Sequence, residues 1–215
     1  MPALFVTFEG PEGCGKTTQV RLLAEWLSAR GYDVLATREP GGTRIGEQIR
    51  AILLNPEHTE MVPAAEILLF SAARAQIVQE VIIPHLRRGG IVLCDRFADS
   101  TLAYQGYGHG LDLGVLRVIT AFATAGLTPD VTFYLDIPVE EGLRRKAEAG
   151  RGEWNRLDQR ELAYHQRVQE GYRQLIAAEP ARWVIIEARG SIEAVHRQVV
   201  REMERRLAVQ QGTAR

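Results

Sequence analysis

Short apolar stretches alternate along this chain with longer stretches in which apolar residues recur at helical spacing. The short stretches are rich in β-branched and aromatic residues and predict strands over residues 3–8, 33–37, 91–94, 131–136 and 183–186. The longer stretches predict helices over residues 19–30, 64–86, 114–125, 139–148, 157–179 and 192–207. This alternation indicates an α/β fold, a parallel sheet wound with helices on both faces. Such sheets bind ligands at the carboxyl ends of their strands.

Two boundaries in this pattern have a physical cause. Gly31 follows the first predicted helix, and glycine is common just beyond a helix C-terminus. Pro84 is expected to interrupt the helix over residues 64–86, because proline has no N–H to donate. After Leu207 the chain is predicted to be frayed.

The length of 215 residues suits one domain spanning residues 1–215 and is too short for two. The formal net charge of -1 gives no global attraction for nucleic acid, so any affinity for anions must come from local clusters of Arg and Lys. The N-terminus has no basic region, and no apolar run approaches the ~18 residues of a membrane span. Cys14 and Cys94 form neither a disulfide framework nor a metal motif. We therefore expect a soluble, cytoplasmic protein without a nucleic-acid or membrane partner.

A phosphate-binding loop is predicted at residues 10–17, which fit GxxxxGK[ST] in full between a strand and a helix. Backbone N–H groups of such a loop converge on phosphate oxygens, and the helix N-terminus adds partial positive charge. Lys16 is expected to reach the β- and γ-phosphates, and the Thr17 hydroxyl to ligate Mg²⁺. An accidental glycine-rich turn is disfavoured by the register of strand, loop and helix. The predicted ATP-binding residues here are Gly10, Pro11, Glu12, Gly13, Cys14, Gly15, Lys16, Thr17 and Thr18.

Other sequence features narrow the class of P-loop protein. The strand over residues 91–94 ends at Asp95, where such folds place a carboxylate near the metal, although this pattern alone is common. A GTPase needs an NKxD motif, and the nearest string, at residues 155–158, has Arg in place of Lys. We interpret that string as the start of a helix. A large motor ATPase usually needs a longer chain.

Basic residues gather in two clusters along the chain. The first contains Arg50, Arg74 and Arg96, and the second contains Arg144, Arg145, Lys146, Arg151 and Arg156. A single exposed arginine is usually solvated surface, but two clusters beside a P-loop suggest two polyanions, a donor and an acceptor. An acceptor that is itself a phosphate needs no general base, so catalysis then depends on charge neutralisation and in-line alignment.

Three strings taken together resemble those of bacterial thymidylate kinases. They are FEGPEGCGKTT at residues 8–18, TREPGGT at 37–43, and DRF at 95–97 followed by ST at 100–101 and AYQG at 103–106. The resemblance covers nearly the whole chain in the right order. It implies a P-loop NTPase fold with a lid and transfer of the γ-phosphoryl group of ATP to dTMP, giving dTDP and ADP in dTTP biosynthesis. It also implies use of Mg²⁺ and assembly as a homodimer.

The resemblance assigns one group of residues to the dTMP phosphate, sugar and base. It places Glu12 near the 3′-OH of the sugar and makes Arg50 a ligand of the dTMP phosphate. Phe70 and Arg74, four residues apart on one helical face, are expected to stack on thymine and to hydrogen-bond the base. Without the resemblance, Arg50 reads equally as surface and Phe70 as core.

A second group follows the acid-ended strand. The resemblance gives Arg96 the role of bridging acceptor and donor phosphates and Asp95 a place in the Mg²⁺ shell. The next helical turn is expected to read the thymine edge and to exclude ribonucleotides; its residues are Ser100, Thr101, Tyr104 and Gln105.

The last implied feature is a lid over about residues 145–157. Some family members carry an arginine in the P-loop just after the acid, but this chain has Gly13 there. Members without that arginine supply one from the lid, and we expect Arg151 to serve at the transferring phosphoryl group. Arg145 and Arg156 are expected to contact ATP.

Two alternatives remain open from the sequence. The nearest is a kinase of another nucleoside monophosphate or of a deoxynucleoside, which an acceptor panel distinguishes. A different class is a nucleotide-dependent switch, which predicts slow ATP hydrolysis without any nucleotide acceptor.

Overall fold

A computed structural model describes residues 3–148, 156–158 and 160–213. The strands are β1 (Leu4–Glu9), β2 (Val34–Arg38), β3 (Ile91–Asp95), β4 (Val131–Asp136) and β5 (Trp183–Glu187). They form one parallel sheet in the order β2-β3-β1-β4-β5, so the strand that leads into the phosphate-binding loop is central. Each strand end lies within one residue of its prediction. The predicted α/β fold is confirmed.

Helices connect these strands. They are α1 (Lys16–Ser28), α2 (Arg44–Leu54), α3 (Pro63–Ile77), α4 (Ile83–Arg87), α5 (Ala98–Thr101), α6 (Leu113–Thr124), α7 (Val139–Glu148), α8 (Leu162–Ala178) and α9 (Ile192–Thr213). Two π-helical turns, Val78–Ile82 and Leu102–Gly108, follow α3 and α5 directly. The second turn carries Tyr104 and Gln105, so both lie in continuous helical backbone as the sequence predicts.

Helices cover both faces of the sheet. Successive strand residues point to opposite sides, and apolar side chains on each side need a partner to pack against. On one face Leu4, Val6 and Phe8 of β1 share a buried cluster with α1 and α9. On the other face Phe5 packs with Ile77 at the end of α3. Burial on both sides explains why β1, β3 and β4 read as nearly continuous apolar runs.

The apolar segment over residues 64–86 forms α3, a π-helical turn and α4 in succession. The predicted interruption near Pro84 takes the form of the π-helical turn Val78–Ile82, which ends two residues before the proline in the first turn of α4. Pro63–Arg87 has the length and composition of a membrane span, so the expectation that no apolar run approaches that length was wrong. Buried core helices have the same length and apolar composition, so these features alone are weak evidence for a membrane. Here the segment packs on the sheet and buries Glu66 and Arg74.

Two predicted helix ends differ from the structure by more than three residues. The helix predicted over residues 157–179 begins at Leu162, because residues 156–158 form a turn instead. Ion pairs hold this turn from both sides, joining Arg156 to Glu66 of α3 and Asp158 to Lys146 of α7. At the other end α9 continues to Thr213, so the predicted fraying after Leu207 was wrong.

The carboxyl ends of β1, β3 and β2, which are successive neighbours in the sheet, lie side by side. Phe8 of β1 is level with Asp95 of β3, and Asp95 is level with Arg38 of β2. The turns that follow β1, β2 and β3 therefore open on the same edge of the sheet, where open parallel sheets bind ligands.

Candidate active site

The phosphate-binding loop depends on glycine for its backbone shape. Gly13 and Gly15 have φ of 67° and 96°, in the left-handed region that favours glycine. Gly13 is also packed against α7, where an added Cβ would collide with the carbonyl oxygen of Gly142. A side chain has no room at this position, which agrees with the absence of a P-loop arginine after Glu12.

Lys16 lies at the start of α1 with its side chain folded over the loop. Its Nζ donates to the carbonyl oxygens of Gly10 at 3.1 Å and Pro11 at 2.8 Å, and it lies 3.4 Å from Sγ of Cys14. The ammonium group must exchange some of these partners for phosphate oxygens to act as predicted.

Thr17 and Asp95 bring together the groups predicted for the metal. Thr17 Oγ1 donates to Oδ2 of Asp95 at 2.5 Å, which joins the loop to the end of β3. The described residues contain no group of three or more acidic, His or Cys side chains that could hold a metal alone. One hydroxyl and one carboxylate beside a phosphate site nevertheless suit Mg²⁺, which is usually bound by one or two carboxylates, water and substrate phosphates.

Arg96 is the centre of a hydrogen-bond network directly after β3. Its backbone is left-handed, with φ of 68°, and its N–H donates to the carbonyl oxygen of Phe8 at 2.9 Å. The guanidinium group donates to Glu12 Oε1 at 2.7 Å, Tyr104 Oη at 2.9 Å, Gly10 O at 3.2 Å, Ser100 Oγ at 3.3 Å and Tyr172 Oη at 3.3 Å. The side chain is thus fixed between the P-loop and the turn after β3.

Glu12 faces this network from inside the P-loop. Its Oε1 accepts from Arg96 and from Tyr104 Oη at 2.9 Å, and its Oε2 accepts from Lys146 Nζ at 3.2 Å. Burial opposes ionisation, but Arg96, Lys16 and Lys146 outweigh it and hold the pKa of Glu12 well below its ordinary value. Glu12 is therefore a charged acceptor of hydrogen bonds at neutral pH.

Glu9 lies beneath the same network, and its pKa is shifted in the opposite direction from that of Glu12. It is fully buried and accepts from the backbone N–H of Phe97 at 2.8 Å, from Ser100 Oγ at 2.6 Å and from Tyr172 Oη at 2.7 Å. Burial and the nearby charge of Asp99 raise the pKa of Glu9 to about 7. Its bond from the Phe97 N–H fixes the backbone that directly follows the left-handed Arg96.

Arg74 projects from α3 toward the turns that follow β2 and β3. Its Nε donates to Glu39 Oε2 at 2.8 Å, its Nη1 to Thr101 Oγ1 at 2.9 Å and its Nη2 to the carbonyl oxygen of Phe97 at 3.1 Å. Only 1% of the residue is exposed. Glu39 belongs to the REPGGT string and precedes Pro40 through a cis peptide bond. Arg50 of α2 donates to the carbonyl oxygen of Pro40 at 2.9 Å.

One cavity of about 830 Å³ joins the loop to these groups, a volume suited to a small-molecule ligand. Sixteen of the predicted site residues line it: Glu12, Gly13, Gly15, Lys16, Thr17, Thr18, Arg50, Phe70, Arg74, Asp95, Arg96, Ser100, Thr101, Tyr104, Gln105 and Arg145. The residues predicted for the donor and for the acceptor therefore share one space.

The arginines predicted for the lid do not all lie in one place. Arg145 lines the cavity and donates to the carbonyl oxygens of Ala188 at 2.9 Å and Arg189 at 3.1 Å, after β5. Arg156 lies elsewhere, buried with its guanidinium on Glu66 and on the carbonyl oxygen of Leu53. Arg156 is not among the residues that line the cavity, and its contact with ATP stays a prediction. Arg151 lies outside the described residues.

Comparison with known proteins identifies the family. The family model described as thymidylate kinase matches residues 8–199. The chain belongs to the thymidylate kinase family. It is 66% identical over 207 residues to the thymidylate kinase of Roseiflexus sp. (strain RS-1), covering 92% of each chain. It is 62% identical over 217 residues to that of Roseiflexus castenholzii, covering 96% of this chain and 95% of the relative.

A solved structure supports the same conclusion. A crystal structure of thymidylate kinase from Ehrlichia chaffeensis matches with a TM-score of 0.78 and 33% identity, covering 94% of this chain and 100% of the other. The predicted family and its fold are confirmed. The enzyme class, a nucleoside monophosphate kinase, follows from the family.

Sequence reasoning missed several residues that shape this thymidylate kinase site. Glu66 gave one signal, since it is an acid in an apolar helix, four residues before Phe70 on the same face. Lys146 was noted in a basic cluster without its partner Glu12. Glu9 stood at the end of an apolar strand, and nothing in the sequence pointed to Tyr172.

Proposed function

We propose that this protein transfers the γ-phosphoryl group of ATP to dTMP, giving dTDP and ADP, as a step of dTTP biosynthesis. The observation that carries the proposal is the position of Glu12. It belongs to the P-loop by sequence, yet its carboxylate is bound by Arg96, Tyr104 and Lys146. One loop thus borders both halves of the cavity.

The donor half is assigned to the P-loop and the lid. Lys16 neutralises charge on the β- and γ-phosphates, and Thr17 and Asp95 would hold Mg²⁺. When bound, Mg²⁺ would supply further neutralisation of the phosphate charge. Arg145 lies beside the loop after β5 and contacts ATP there, and Arg151 supplies the positive charge at the transferring group.

The acceptor half is assigned to the turns after β2 and β3 and to α3. Arg50 and Arg96 bind the dTMP phosphate, and Glu12 accepts from the 3′-OH. Tyr104 lies against the sugar. The remaining acceptor residues hold the base: Phe70, Arg74, Ser100, Thr101 and Gln105.

No general base is required in this mechanism, because the acceptor phosphate is already anionic and nucleophilic. The residues' work is to bring two polyanions within bonding distance and to align them in line. Arg96 suits this task because it is held in place by five acceptors.

We also propose that the chain is a single kinase domain that works in the cytoplasm as a homodimer. The dimer proposal is supported by an apolar surface of α6 and the neighbouring α3. Phe122 is 87% exposed and Val118 72%, and Leu68 of α3 is also exposed. Apolar exposure concentrated in this way marks interaction surfaces.

A coupled assay of ADP release across dTMP, dUMP, AMP, CMP and GMP tests the function. We expect turnover to be highest with dTMP. Equal or better turnover with a purine nucleotide contradicts the assignment. ATP hydrolysis that is slow and indifferent to every acceptor supports a nucleotide-dependent switch instead.

A further inference from the structure

Glu66 is a buried carboxylate with no role in the phosphoryl transfer described above. It lies in α3 with none of its surface exposed, one turn before Phe70. Its Oε1 accepts from Gln105 Nε2 at 2.8 Å, and its Oε2 accepts from Arg156 Nη2 at 2.5 Å. His109 Nε2 lies 3.3 Å from Oε1, and Arg160 lies 3.9 Å from Oε2.

These neighbours determine the charge of Glu66. Burial alone raises the pKa of a carboxyl group, but His109, Gln105 and Arg156 outweigh it and lower the pKa of Glu66 to about 2. The group is therefore ionised at neutral pH. An ionised carboxylate accepts hydrogen bonds and donates none.

The charge of Glu66 in turn determines which way the amide of Gln105 points. An amide has one end that donates and one that accepts, and only the NH₂ end can face a carboxylate. The contact with Glu66 thus assigns the orientation of the amide chemically. Gln105 also lines the cavity, and no described residue bonds its Oε1. The acceptor end is the end left for a ligand.

We propose that Glu66 is a positioning residue for base selection, which holds the oxygen of Gln105 toward the acceptor base and so favours thymine over cytosine. The proposal rests on the proposed function, in which Gln105 contacts the base of dTMP. Arg156 acts in it as the counter-ion of Glu66.

The chemistry of the two pyrimidines explains the preference. Thymine has a single ring donor, N3–H, between two carbonyl groups, and a fixed acceptor can meet only that group. Cytosine has a lone pair at N3, which would face the oxygen of Gln105 without a hydrogen between them. A site built around a buried hydrogen bond rejects a ligand that cannot form it far more strongly than an apolar pocket does.

The test compares dTMP with dCMP as acceptors for the wild-type enzyme and for Glu66→Gln. The amide at position 66 can donate or accept, so the amide of Gln105 is free to turn. We expect the dTMP-to-dCMP ratio of kcat/KM to fall at least about tenfold and KM for dTMP to rise about tenfold. KM for ATP should stay within about twofold of the wild-type value, because this change touches no donor group. A dTMP-to-dCMP ratio that stays within about twofold of wild type overturns the proposal.

A swapped variant separates positioning from a merely structural role. Glu66→Gln combined with Gln105→Glu keeps the total charge and again presents only an acceptor to the base. We expect the dTMP-to-dCMP ratio to recover to within about threefold of wild type. Failure to recover, with the double variant folded, shows that Glu66 acts through packing and overturns the proposal.

Two further variants complete the design. Asp99→Asn removes a buried carboxylate paired with Arg182 at 2.7 Å, away from the cavity lining, and should lower thermal stability without changing the ratio. If Asp99→Asn lowers the dTMP-to-dCMP ratio as much as Glu66→Gln does, the proposal is overturned.

If Glu66→Gln does not fold, Glu66→Asp replaces it, since it keeps the charge but withdraws it from Gln105. An unchanged dTMP-to-dCMP ratio in Glu66→Asp then overturns the proposal. A wild-type enzyme that shows no preference for dTMP contradicts the proposed function instead.

Discussion

The acceptor half of the cavity and the donor half are built in different ways. On the acceptor half Arg74, Arg96 and Glu12 are bound by buried partners from several elements. On the donor half Lys16 donates to carbonyl oxygens of its own loop. Thr17 is exposed to solvent, and its hydroxyl donates to Asp95. The acceptor half is thus part of the folded core.

This difference predicts that variants of the two halves will affect stability and turnover differently. Groups of the acceptor half support the fold as well as the substrate, so removing one should cost stability and activity together. Groups of the donor half must change partners to meet phosphates, so removing one should mainly cost turnover.

The largest expected effect is that of Arg96→Met. Removing this guanidinium leaves Glu12 with one buried partner fewer, and breaking a buried pair from one side costs about 3–5 kcal/mol of stability. The same change should lower kcat about 1000-fold, because the charge between the two phosphates is lost. Denaturant unfolding and steady-state kinetics measure both.

Lys16→Met is the matched donor-half variant, and we expect a similar loss of kcat with at most about 1 kcal/mol of stability lost. Equal destabilisation by the two variants would contradict the comparison.

The next effect concerns Glu9, the buried support of the acceptor half. Its pKa rises from 4.5 in the unfolded chain to about 7 in the fold, so the folded state holds the extra proton between these values. Its contribution to stability is complete below pH 4.5 and is lost as the pH rises through 7. The difference amounts to about 3 kcal/mol at most. Glu9→Gln should remove this pH dependence, measured by urea unfolding between pH 4.5 and 8. If Glu9→Gln keeps the pH dependence of the wild type, Glu9 is not the group whose proton makes stability depend on pH in this range.

A third test removes the base-facing arginine. Arg74→Ala should lower kcat/KM for dTMP about 100-fold, while the Kd for ATP stays within about threefold. The buried carboxylate of Glu39 loses its partner, so thermal unfolding should be followed alongside. Calorimetry with ATP and acceptor kinetics provide the two readouts. If dTMP kinetics survive the change, Arg74 does not face the base.

The sequence predicted the strands and the P-loop because their signals are local. A strand buried on both faces is a continuous apolar run, and GxxxxGK[ST] includes every residue that shapes the loop. Arg96 and Tyr104 were predictable for the same reason, because each lies in a short string, DRF at 95–97 or AYQG at 103–106, that marks the family.

Networks that join distant segments were not predictable in this way. Glu66 reads as an odd acid in an apolar helix until the fold brings residues 105 and 156 to it. Tyr172 lies 163 positions from Glu9, and no spacing rule connects them. Residues 156–158 form a turn, although their sequence suggests the start of a helix. The local pattern is visible in the sequence, whereas the ion pairs that hold the turn join it to distant residues.

The smallest expected effect is also the one that decides to which half Arg156 belongs. The sequence placed this arginine on ATP, whereas the structure buries it against Glu66 behind Gln105. Arg156→Met should therefore raise KM for dTMP about fivefold and leave KM for ATP within about twofold.

Arg145→Met is the control for Arg156→Met, because Arg145 lines the cavity and bonds the carbonyl oxygens of Ala188 and Arg189. It should change KM for ATP and spare dTMP. If Arg156→Met instead raises KM for ATP alone, Arg156 leaves Glu66 during the reaction cycle and joins the donor half. The boundary between the acceptor half and the donor half would then run through the Glu66–Arg156 pair itself.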